Sequence, residues 1–375
     1  MIKGVDLTLM IGPLVPVPAP REVLDALTDV QVKSTSEDKS GFTLKFTLST
    51  HSPLHTLFLL SGRSAVPIVR VVIAVTVNGS PEVLIDGVMT DHHIEPGDGR
   101  GVAVLTVLGE DLSAVMNCID GSGTPFPAMS PEARVLLILA KYAFLGVIPK
   151  VIPSVLIDVP IPTNKVPSQH GTDLSYVKEL ADEAGYVFCL EPGPVPGTSF
   201  AYWGPEVKVG VPQPAISVNM DAHTNVESIS FSYDAEKRER LEIYVQDELT
   251  KAPVPVLVRD ITPLNPPLGL IRPPPKKVKT TCETAKYSPV RALLVGLAKA
   301  SRSADVASAN GTLDVVRYGH VLKPRKLVGV RGAGPAFDGL WYVKSVTHTI
   351  KRGEYKQEFT LSRNGLISTV PEVPV

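Results

Sequence analysis

The sequence has 375 residues, of which 44% are hydrophobic and 20% charged, and its formal net charge is -1. This length exceeds the usual size of one domain, and the composition excludes a largely disordered chain, so we expect two or three packed units. The near-neutral charge gives no overall attraction to nucleic acid or to an anionic membrane, and the 35 prolines favour turns, edges and linkers over long helices.

The first 115 residues or so have the pattern of β-strands. Residues 42–48 alternate apolar and polar side chains, the period of a half-buried strand. The run 68–77 leads into Asn78-Gly79 and a second strand-like run, which is a strong hairpin signal, and another reversal is expected at 95–101. The prolines among the first 20 residues do not fit a secretory signal sequence. We therefore predict an antiparallel meander, residues 1–115, that curls into a barrel.

The pattern changes near residue 116. Ser130-Pro131-Glu132 has the features of a helix start, and the apolar stretch 134–148 after it predicts a buried helix. Lysines and prolines interrupt this stretch too soon for a membrane span. A second helix is predicted from a cap at Asp173 to a stop at Gly185. We assign residues 116–210 to an inserted α+β domain.

Strand patterns return at 227–233 and 241–247 and again from about residue 313. The proline-rich run 253–279 between them predicts a linker or surface arm, followed by a helix that starts at Ser288-Pro289. The last predicted hairpin joins 341–350 to 355–362 through a tight turn. We predict a second barrel from 211–250 and 312–375, with the arm and helix of 251–311 inserted into it. The expected fold class is mainly β (α+β): two barrel domains with helical or mixed insertions.

Several patterns raise the question of a metal site. His51 and His55 have the spacing of two ligands on a helix, but Pro53 and the surrounding strand pattern argue against a helix. The run 91–95 packs four candidate ligands into five residues at a predicted hairpin tip, where polar side chains are expected in any case. Cys118, Cys189 and Cys282 are too widely spaced for a metal knuckle and too few for a disulfide framework.

Other patterns invite catalytic or binding interpretations. The glycines of 329–334 have the wrong order for a dinucleotide or phosphate loop and favour a turn. Pairs such as Glu110-Asp111 are expected to face water, and no nucleophile elbow is present in the sequence. The basic run 323–326 with Arg331 is either a solvated strand edge or a nucleic-acid contact. The two tryptophans, Trp203 and Trp341, together with exposed prolines, fit contacts with other proteins.

Three stretches together carry a resemblance. The run 171–188, GTDLSYVKELADEAGYVF, preceded by Gln169, resembles the phage late control protein D family, which includes the baseplate hub proteins of contractile tails and the N-terminal part of VgrG spikes. The stretches 85–116 and 317–365 resemble the first hairpin and the closing region of that family. The family-motif residues in this sequence are Gly87, Gly109, Asp111, Gln169, Asp173, Gly185, Tyr186, Gly332, Trp341, Tyr342, Val343, His348, Tyr355 and Phe359.

The resemblance implies a structural role. In that family both β portions are tail-tube-like barrels, and three chains present six barrels around one axis. It implies a homotrimer that joins the sixfold tail tube to a threefold spike, without a catalytic residue, metal or cofactor. It also implies tube and spike partners, tape-measure and baseplate wedge proteins as further candidates, no membrane partner, and DNA only as a passenger of the channel. Because the chain stops shortly after residue 365, the spike is expected to be a separate polypeptide.

The resemblance also implies a location, namely assembly in the bacterial cytoplasm and then a phage tail baseplate or an injection-system particle. Two alternatives stay open. A tail-associated peptidoglycan hydrolase would use the His-rich hairpin and the helical insertion, and a nucleic-acid-binding barrel would use the basic run 323–331.

Overall fold

A computed structural model describes residues 4–36, 39–48, 68–96, 103–154, 166–246, 253–258, 265–281 and 289–370. The chain is mainly β, and most of its strands belong to one 13-stranded sheet. The histidines His51 and His55, the turn residues 97–101 and Cys282 lie outside the described residues. No helix that the structure describes is long and apolar enough to cross a membrane.

The first β portion is the predicted antiparallel meander. Its strands run in the spatial order β3-β4-β7-β6-β5-β1-β2, and Asn78-Gly79 forms the turn of the β5–β6 hairpin, with positive φ at both residues. A short helix, α1 (Arg21–Ala26), precedes β3. The strands are β1 (Val5–Gly12), β2 (Val17–Pro18), β3 (Leu27–Thr35), β4 (Gly41–Leu48), β5 (Arg70–Val77), β6 (Ser80–Glu95) and β7 (Ala103–Asp111).

The insertion packs helices against a small sheet of order β8-β10-β9. The prediction of one buried helix through residue 148 is wrong: α3 ends at Ala140, Gly146 adopts a left-handed conformation, and a strand follows. Only one side of α3 is buried, and Leu137 is 48% exposed. The elements are α2 (Ser113–Asn117), α3 (Pro131–Ala140), β8 (Val147–Val151), α4 (Asp173–Ala184), β9 (Val187–Pro192) and β10 (Ser199–Gly204).

The second β portion continues the same sheet. Strands β3 and β19 pair antiparallel from Ser345↔Thr35 to Lys351↔Asp29, so the two portions meet edge to edge and share one hydrophobic core. The predicted final hairpin is confirmed, with its turn at Arg352-Gly353. The elements are β11 (Gln213–Ser217), β12 (Val226–Tyr233), β17 (Ala307–Asp314), α6 (Val315–Tyr318), β18 (Leu327–Arg331), β19 (Gly339–Lys351) and β20 (Glu354–Arg363).

The arm between these strands is partly a folded unit. Strand β13 (Glu239–Gln246) pairs with β14 (Pro253–Leu257) and β16 (Lys277–Thr281), and helix α5 (Pro289–Ser303) packs on this sheet. Residues 239–246 therefore group with the arm rather than with the second β portion, and β17 begins at Ala307, before the expected boundary at 312. Periodicity identified the strand, but it does not specify which partner a strand pairs with. A short ribbon pairs β15 (Gly269–Ile271) with β21 (Leu366–Ser368).

Candidate functional site

The candidate metal ligands do not form a metal site where the structure shows them. Residues 91–95 belong to β6 rather than to a loop, and His93 lies 3.7 Å from Glu95, with both side chains exposed. Within the described ranges, no three His, Cys, Asp or Glu side chains group closely enough to hold a metal ion.

The two described cysteines do not form a disulfide with each other. Cys118 is exposed, whereas Cys189 is buried, and both are free thiols. Burial raises the pKa of Cys189 to about 12, which keeps this thiol protonated and unreactive.

Two of the glycines of 329–334, Gly332 and Gly334, lie in a turn, as the sequence favours, whereas Gly329 lies within β18. Gly332 and Gly334 both have positive φ. A Cβ on Gly332 would lie 2.0 Å from the carbonyl oxygen of Val218, so the backbones approach too closely there for any other residue. The turn links β18 to β19 and has no helix after it, which a phosphate-binding loop requires.

The basic run 323–326 forms ion pairs within the chain. Lys323 lies 2.6 Å from Glu82, and Arg325 lies 3.1 Å from Glu191. Arg325 also donates a 2.7 Å hydrogen bond to the carbonyl oxygen of Thr35. These two cations tie the second β portion to the first portion and to the insertion, which weakens the interpretation of the run as a nucleic-acid contact.

A cleft of about 490 Å³ lies at this three-way junction. It is lined by the end of β3, the start of β6, the end of β9 and residues 321–326. Its two carboxylates, Glu82 and Glu191, are both held by the cations just described. A glycoside hydrolase that acts through two carboxyl groups needs one of them uncharged, beside a carboxylate that is free to act. The ion pairs of the cleft therefore hold the surrounding units together, and neither of its two carboxylates is free to act in such a reaction.

The insertion is fastened to the first β portion by a buried arginine. Arg70 contacts Asp86 through two hydrogen bonds of 2.8 and 2.6 Å, and both side chains are almost completely buried. Burial raises the pKa of Asp86, and Arg70 offsets part of that effect. The same guanidinium donates to the carbonyl oxygens of Leu14, Leu145 and Gly197 at 3.3, 2.7 and 3.0 Å. One cation thus joins the β1–β2 turn to two loops of the insertion.

The motif residues Gln169 and Asp173 meet in the core of the insertion. Asp173 is fully buried and accepts hydrogen bonds from Gln169 Nε2 and the Tyr142 hydroxyl, both at 2.7 Å. Lys141 Nζ lies 3.1 Å from both of its carboxylate oxygens. The predicted capping role of Asp173 is wrong, because Thr172 is the N-cap residue of α4. Asp173 instead fixes α4 against the end of α3.

Gly185 ends α4 as predicted. It has φ +70, and a Cβ there would lie 2.6 Å from the carbonyl oxygen of Leu294 in α5. The next motif residue, Tyr186, packs edge-on against Trp203, with ring centroids 4.8 Å apart. These contacts join the insertion to the arm and close the core of the insertion.

The two motif glycines of the first hairpin lie where a neighbouring strand comes very close. A Cβ on Gly87 would lie 2.2 Å from the carbonyl oxygen of Glu110, and one on Gly109 would lie 2.1 Å from the Phe42 ring. Asp111 is buried and accepts hydrogen bonds from the amides of Ser40 and Ser113, at 3.0 and 2.9 Å. The expectation that Asp111 faces water is therefore wrong. Its carboxylate holds the chain at the exit from β7 into α2.

Both tryptophans are fully buried, so the expectation that they form protein contacts is wrong. Trp341 donates a 2.8 Å hydrogen bond to the carbonyl oxygen of Phe337, and the Arg363 guanidinium lies 4.5 Å from its ring centroid. Burial lowers the pKa of Arg363 to about 10. The neighbouring motif residues Tyr342 and Val343 are buried as well.

The remaining motif residues line the core of the last hairpin. His348 Nδ1 lies 2.9 Å from the Tyr355 hydroxyl and 3.3 Å from Gln357 Nε2. Complete burial lowers the pKa of His348 to about 3, so the imidazole is neutral near pH 7. Phe359 is buried two residues further along the strand. Tyr355, Gln357, Phe359 and Leu361 are all buried, so this face of β20 points inward.

Sequence reasoning missed two buried charge clusters. One is the Arg70–Asp86 pair, and the other joins Lys208 to Asp305 at 3.0 Å with the Ser362 hydroxyl 2.7 Å from the same carboxylate. Arg70 is the first residue of a largely apolar strand. A charged residue in an apolar run is the signal from which the buried ion pair could have been predicted. The motif residues and these clusters lie either in the core or where two units of the chain pack together.

Solved structures with a similar fold include tail proteins and a PdpA–VgrG complex. A tail protein from Neisseria meningitidis has a TM-score of 0.62 and 13% identity over 97% of this chain and 98% of that one. The 43 kDa tail protein of prophage MuSo2 from Shewanella oneidensis has a TM-score of 0.60 and 14% identity over 96% and 98%. A chain of the half-lidded Francisella PdpA–VgrG complex has a TM-score of 0.58 and 9% identity over 99% of this chain and 60% of that one.

The chain therefore has the fold of phage tail and VgrG-type proteins over nearly its whole length. No protein-family model and no curated protein matches the sequence.

Proposed function

We propose that this chain is the baseplate hub of a contractile phage tail or of a phage-derived injection system. In this proposal it is a structural protein without catalytic activity, and three copies adapt the sixfold tail tube to the threefold spike. The observation that carries the proposal is the pairing of β3 with β19, which joins two β portions of similar size edge to edge within one chain. Three such chains would present six β portions around one axis.

The strand pairing supports the proposed domain division. The first tube-like unit is residues 1–115, the inserted α+β domain is 116–210, and the second tube-like unit combines the strands of 211–233 with those from residue 307 onward. The arm then runs from about 239 to 303. Buried ion pairs at the joints fit a role in which the units must keep a fixed relative position under load.

The proposed partners are those of a hub. We expect contacts with a second and third copy of the chain, with the tail tube protein and with a separate spike protein, while tape-measure and wedge proteins are further candidates. DNA would pass through the assembly without a dedicated site, and no membrane contact is proposed. The proposed location is the cytoplasm during assembly and then the tail baseplate or injection particle.

The stoichiometry of the assembly tests the proposal. The chain is co-expressed with the tube and spike proteins of its own tail, and the complex is weighed by native mass spectrometry. We expect three copies of this chain with six tube subunits and three spike chains. A complex with one copy of this chain, or no complex with either partner, would contradict the hub role.

A direct assay separates the hub from the hydrolase alternative. Purified cell wall is incubated with the chain and with a His93→Ala variant of the exposed strand end. The hub role predicts no release of soluble fragments by either protein. Release by the native chain that is lost in the variant would establish the hydrolase instead.

A further inference from the structure

Strand β1 has an open edge in the part of the chain that the structure describes. It pairs with β5 along its whole length, whereas β2 covers its other side only at Met10 and Ile11. The stretch 5–9 therefore has one neighbouring strand instead of two. Proteins often protect such an edge with lysine or proline, and β1 contains neither.

The backbone groups that face this open side belong to Val5 and Leu7. The carbonyl oxygen of Gly4 accepts a hydrogen bond of 3.1 Å from the turn between β5 and β6, whereas that of Leu9 accepts one of 2.8 Å from Ala19 on the opposite side. In an antiparallel strand, successive residues direct their N–H and C=O groups to opposite neighbours. The odd-numbered residues of β1 therefore face away from β5, and no described backbone group bonds to Val5 or Leu7 there.

A groove of about 420 Å³ adjoins the same edge. Its apolar lining comes from β1, α1, β3 and β19, and includes Val5, Leu7, Leu24, Val30 and Ile350. The volume is within the range of pockets that bind ligands, roughly 300–1,000 Å³. Because side chains alternate between the two faces of a strand, a segment added to β1 would direct every second side chain into this groove.

The charged lining of the groove is mainly cationic. Lys351 and Arg352, at the turn between β19 and β20, line it together with a single acidic residue, Asp25. The Arg352 guanidinium donates a hydrogen bond to the backbone carbonyl oxygen of Asp25, which holds this cation at the groove. A carboxylate on the added segment would therefore meet a net positive charge.

We propose that β1 accepts an extended segment of a partner protein as an additional strand. The segment has apolar side chains at every second position and an acidic residue near Lys351 and Arg352. Hydrogen bonds to the backbone of Val5 and Leu7 supply affinity, and the groove selects the side chains. This inference goes beyond the hub role and does not depend on the number of copies in the assembly.

Synthetic peptides test the proposal on the full chain. The peptides alternate valine and threonine and carry two glutamates at one end or at the other, and the control peptides carry lysines in the same places. Fluorescence anisotropy of the labelled peptides measures binding. We expect a glutamate peptide to bind about tenfold more tightly than its lysine counterpart. Equal binding of the two, or no binding of either, would overturn the proposal.

Hydrogen exchange resolved to single amides locates the added strand. In the free chain, the amides of Val5 and Leu7 should exchange faster than those of Asp6 and Thr8, which face β5. The glutamate peptide should slow exchange at Val5 and Leu7 by about tenfold and leave Asp6 and Thr8 nearly unchanged. Protection elsewhere without any at Val5 and Leu7 would overturn the assigned site.

Two substitutions of Leu7 separate the backbone from the side chain. Leu7→Pro removes an outward N–H at a position where an edge strand tolerates proline. Leu7→Ala is the matched control, because it shortens the side chain and keeps the N–H. We expect Leu7→Pro to weaken binding of the glutamate peptide at least about fivefold more than Leu7→Ala does, with circular dichroism establishing that both are folded. Equal weakening would contradict strand addition.

A charge reversal at the groove keeps the test decisive even if Leu7→Pro does not fold. Lys351→Glu should reverse the preference, so that the lysine peptide binds more tightly than the glutamate peptide. Lys237→Glu is the control, because Lys237 is exposed and lies outside the groove. An unchanged preference in Lys351→Glu would overturn the proposed position of the acidic residue.

Self-association is the competing outcome. If the native chain forms oligomers that Leu7→Pro abolishes, and the peptides do not bind, a second copy occupies the edge and the proposal is overturned while the hub role stands. Conversely, a chain that binds the glutamate peptide but never forms a trimer, even with tube and spike, supports this inference and contradicts the hub. The two conclusions can therefore fail separately.

Discussion

Arg70 and Asp86 form a bidentate ion pair in the joint between the first β portion and the insertion, with side chains that are only 4% and 0% exposed. They lie on neighbouring strands, where Arg70 is opposite Val88 and Asp86 is opposite Val72. The pair is therefore built into the β5–β6 hairpin, while its remaining hydrogen bonds reach outside that hairpin. This geometry makes the insertion depend on the first β portion for its position.

Breaking this pair is expected to be costly. Asp86→Asn keeps the side-chain shape but leaves the buried Arg70 charge without a carboxylate, so we expect the free energy of unfolding to fall by about 3–5 kcal/mol. Urea titration followed by tryptophan fluorescence measures the change. The control is Lys276→Met, which removes an exposed pair with Glu236 and should cost less than about 1 kcal/mol. Equal losses in the two variants would contradict the assigned role.

The buried carboxylate of Asp173 gives a second prediction. Asp173→Ala leaves the Gln169 amide and the Tyr142 hydroxyl without their buried acceptor, and we expect a loss of about 3–5 kcal/mol in unfolding free energy. Tyr142→Phe removes a single donor and should cost about 1–2 kcal/mol. Calorimetry compares the two variants. If Asp173→Ala is no more destabilised than Tyr142→Phe, the carboxylate does not hold the two helices together.

Two glycines in similar conformations separate backbone strain from packing. Gly185 and Gly79 have φ +70 and +82, so alanine at either position costs about 1–2 kcal/mol in strain. Among the described residues, a Cβ at Gly79 meets no atom within 4 Å, whereas a Cβ at Gly185 would clash with the Leu294 carbonyl group. We expect Gly185→Ala to lower the thermal midpoint clearly more than Gly79→Ala. Hydrogen exchange should show the extra opening in α5, and similar midpoints would rule out a tight contact there.

The lowered pKa of the buried His348 should make the folded chain less stable in acid. Its pKa falls to about 3 in the folded chain, below the usual value of 6.5, so the unfolded chain binds the additional proton between these values. Stability therefore decreases as the pH falls through 6.5 toward 3, by about 2–3 kcal/mol at pH 4.5. A His348→Gln variant lacks this titration, and its unfolding free energy should fall less between pH 7 and 4.5. Parallel pH profiles of the two proteins would contradict the prediction.

Local patterns in the sequence predicted local structure well. The strand at 42–48, the Asn78-Gly79 turn and the end of α4 at Gly185 depend on residues that are close in the chain, and the structure confirms all three. The pairing of Thr35 with Ser345 joins residues that are far apart in the chain, and no local pattern specifies it. For the same reason β13 was assigned to the wrong sheet.

The side chains at the joints were harder to place. Trp203 follows Ser199 and Ala201 on the buried side of β10, so alternation along that strand could have predicted its burial. A motif identified the positions Asp173 and Gln169. It did not reveal the buried contacts of Asp173, because its partners Tyr142 and Lys141 lie at the end of another helix. Burial of a charge depends on tertiary packing, and periodicity alone does not reveal it.

The number of copies in the assembled state tests the central claim most directly. Sedimentation equilibrium of the chain, alone and with its spike protein, measures that number without labels. The hub account predicts a threefold complex, formed by the chain itself or completed when the spike is added. A chain that remains a single copy at every concentration, with the spike and the tube protein present, would contradict it.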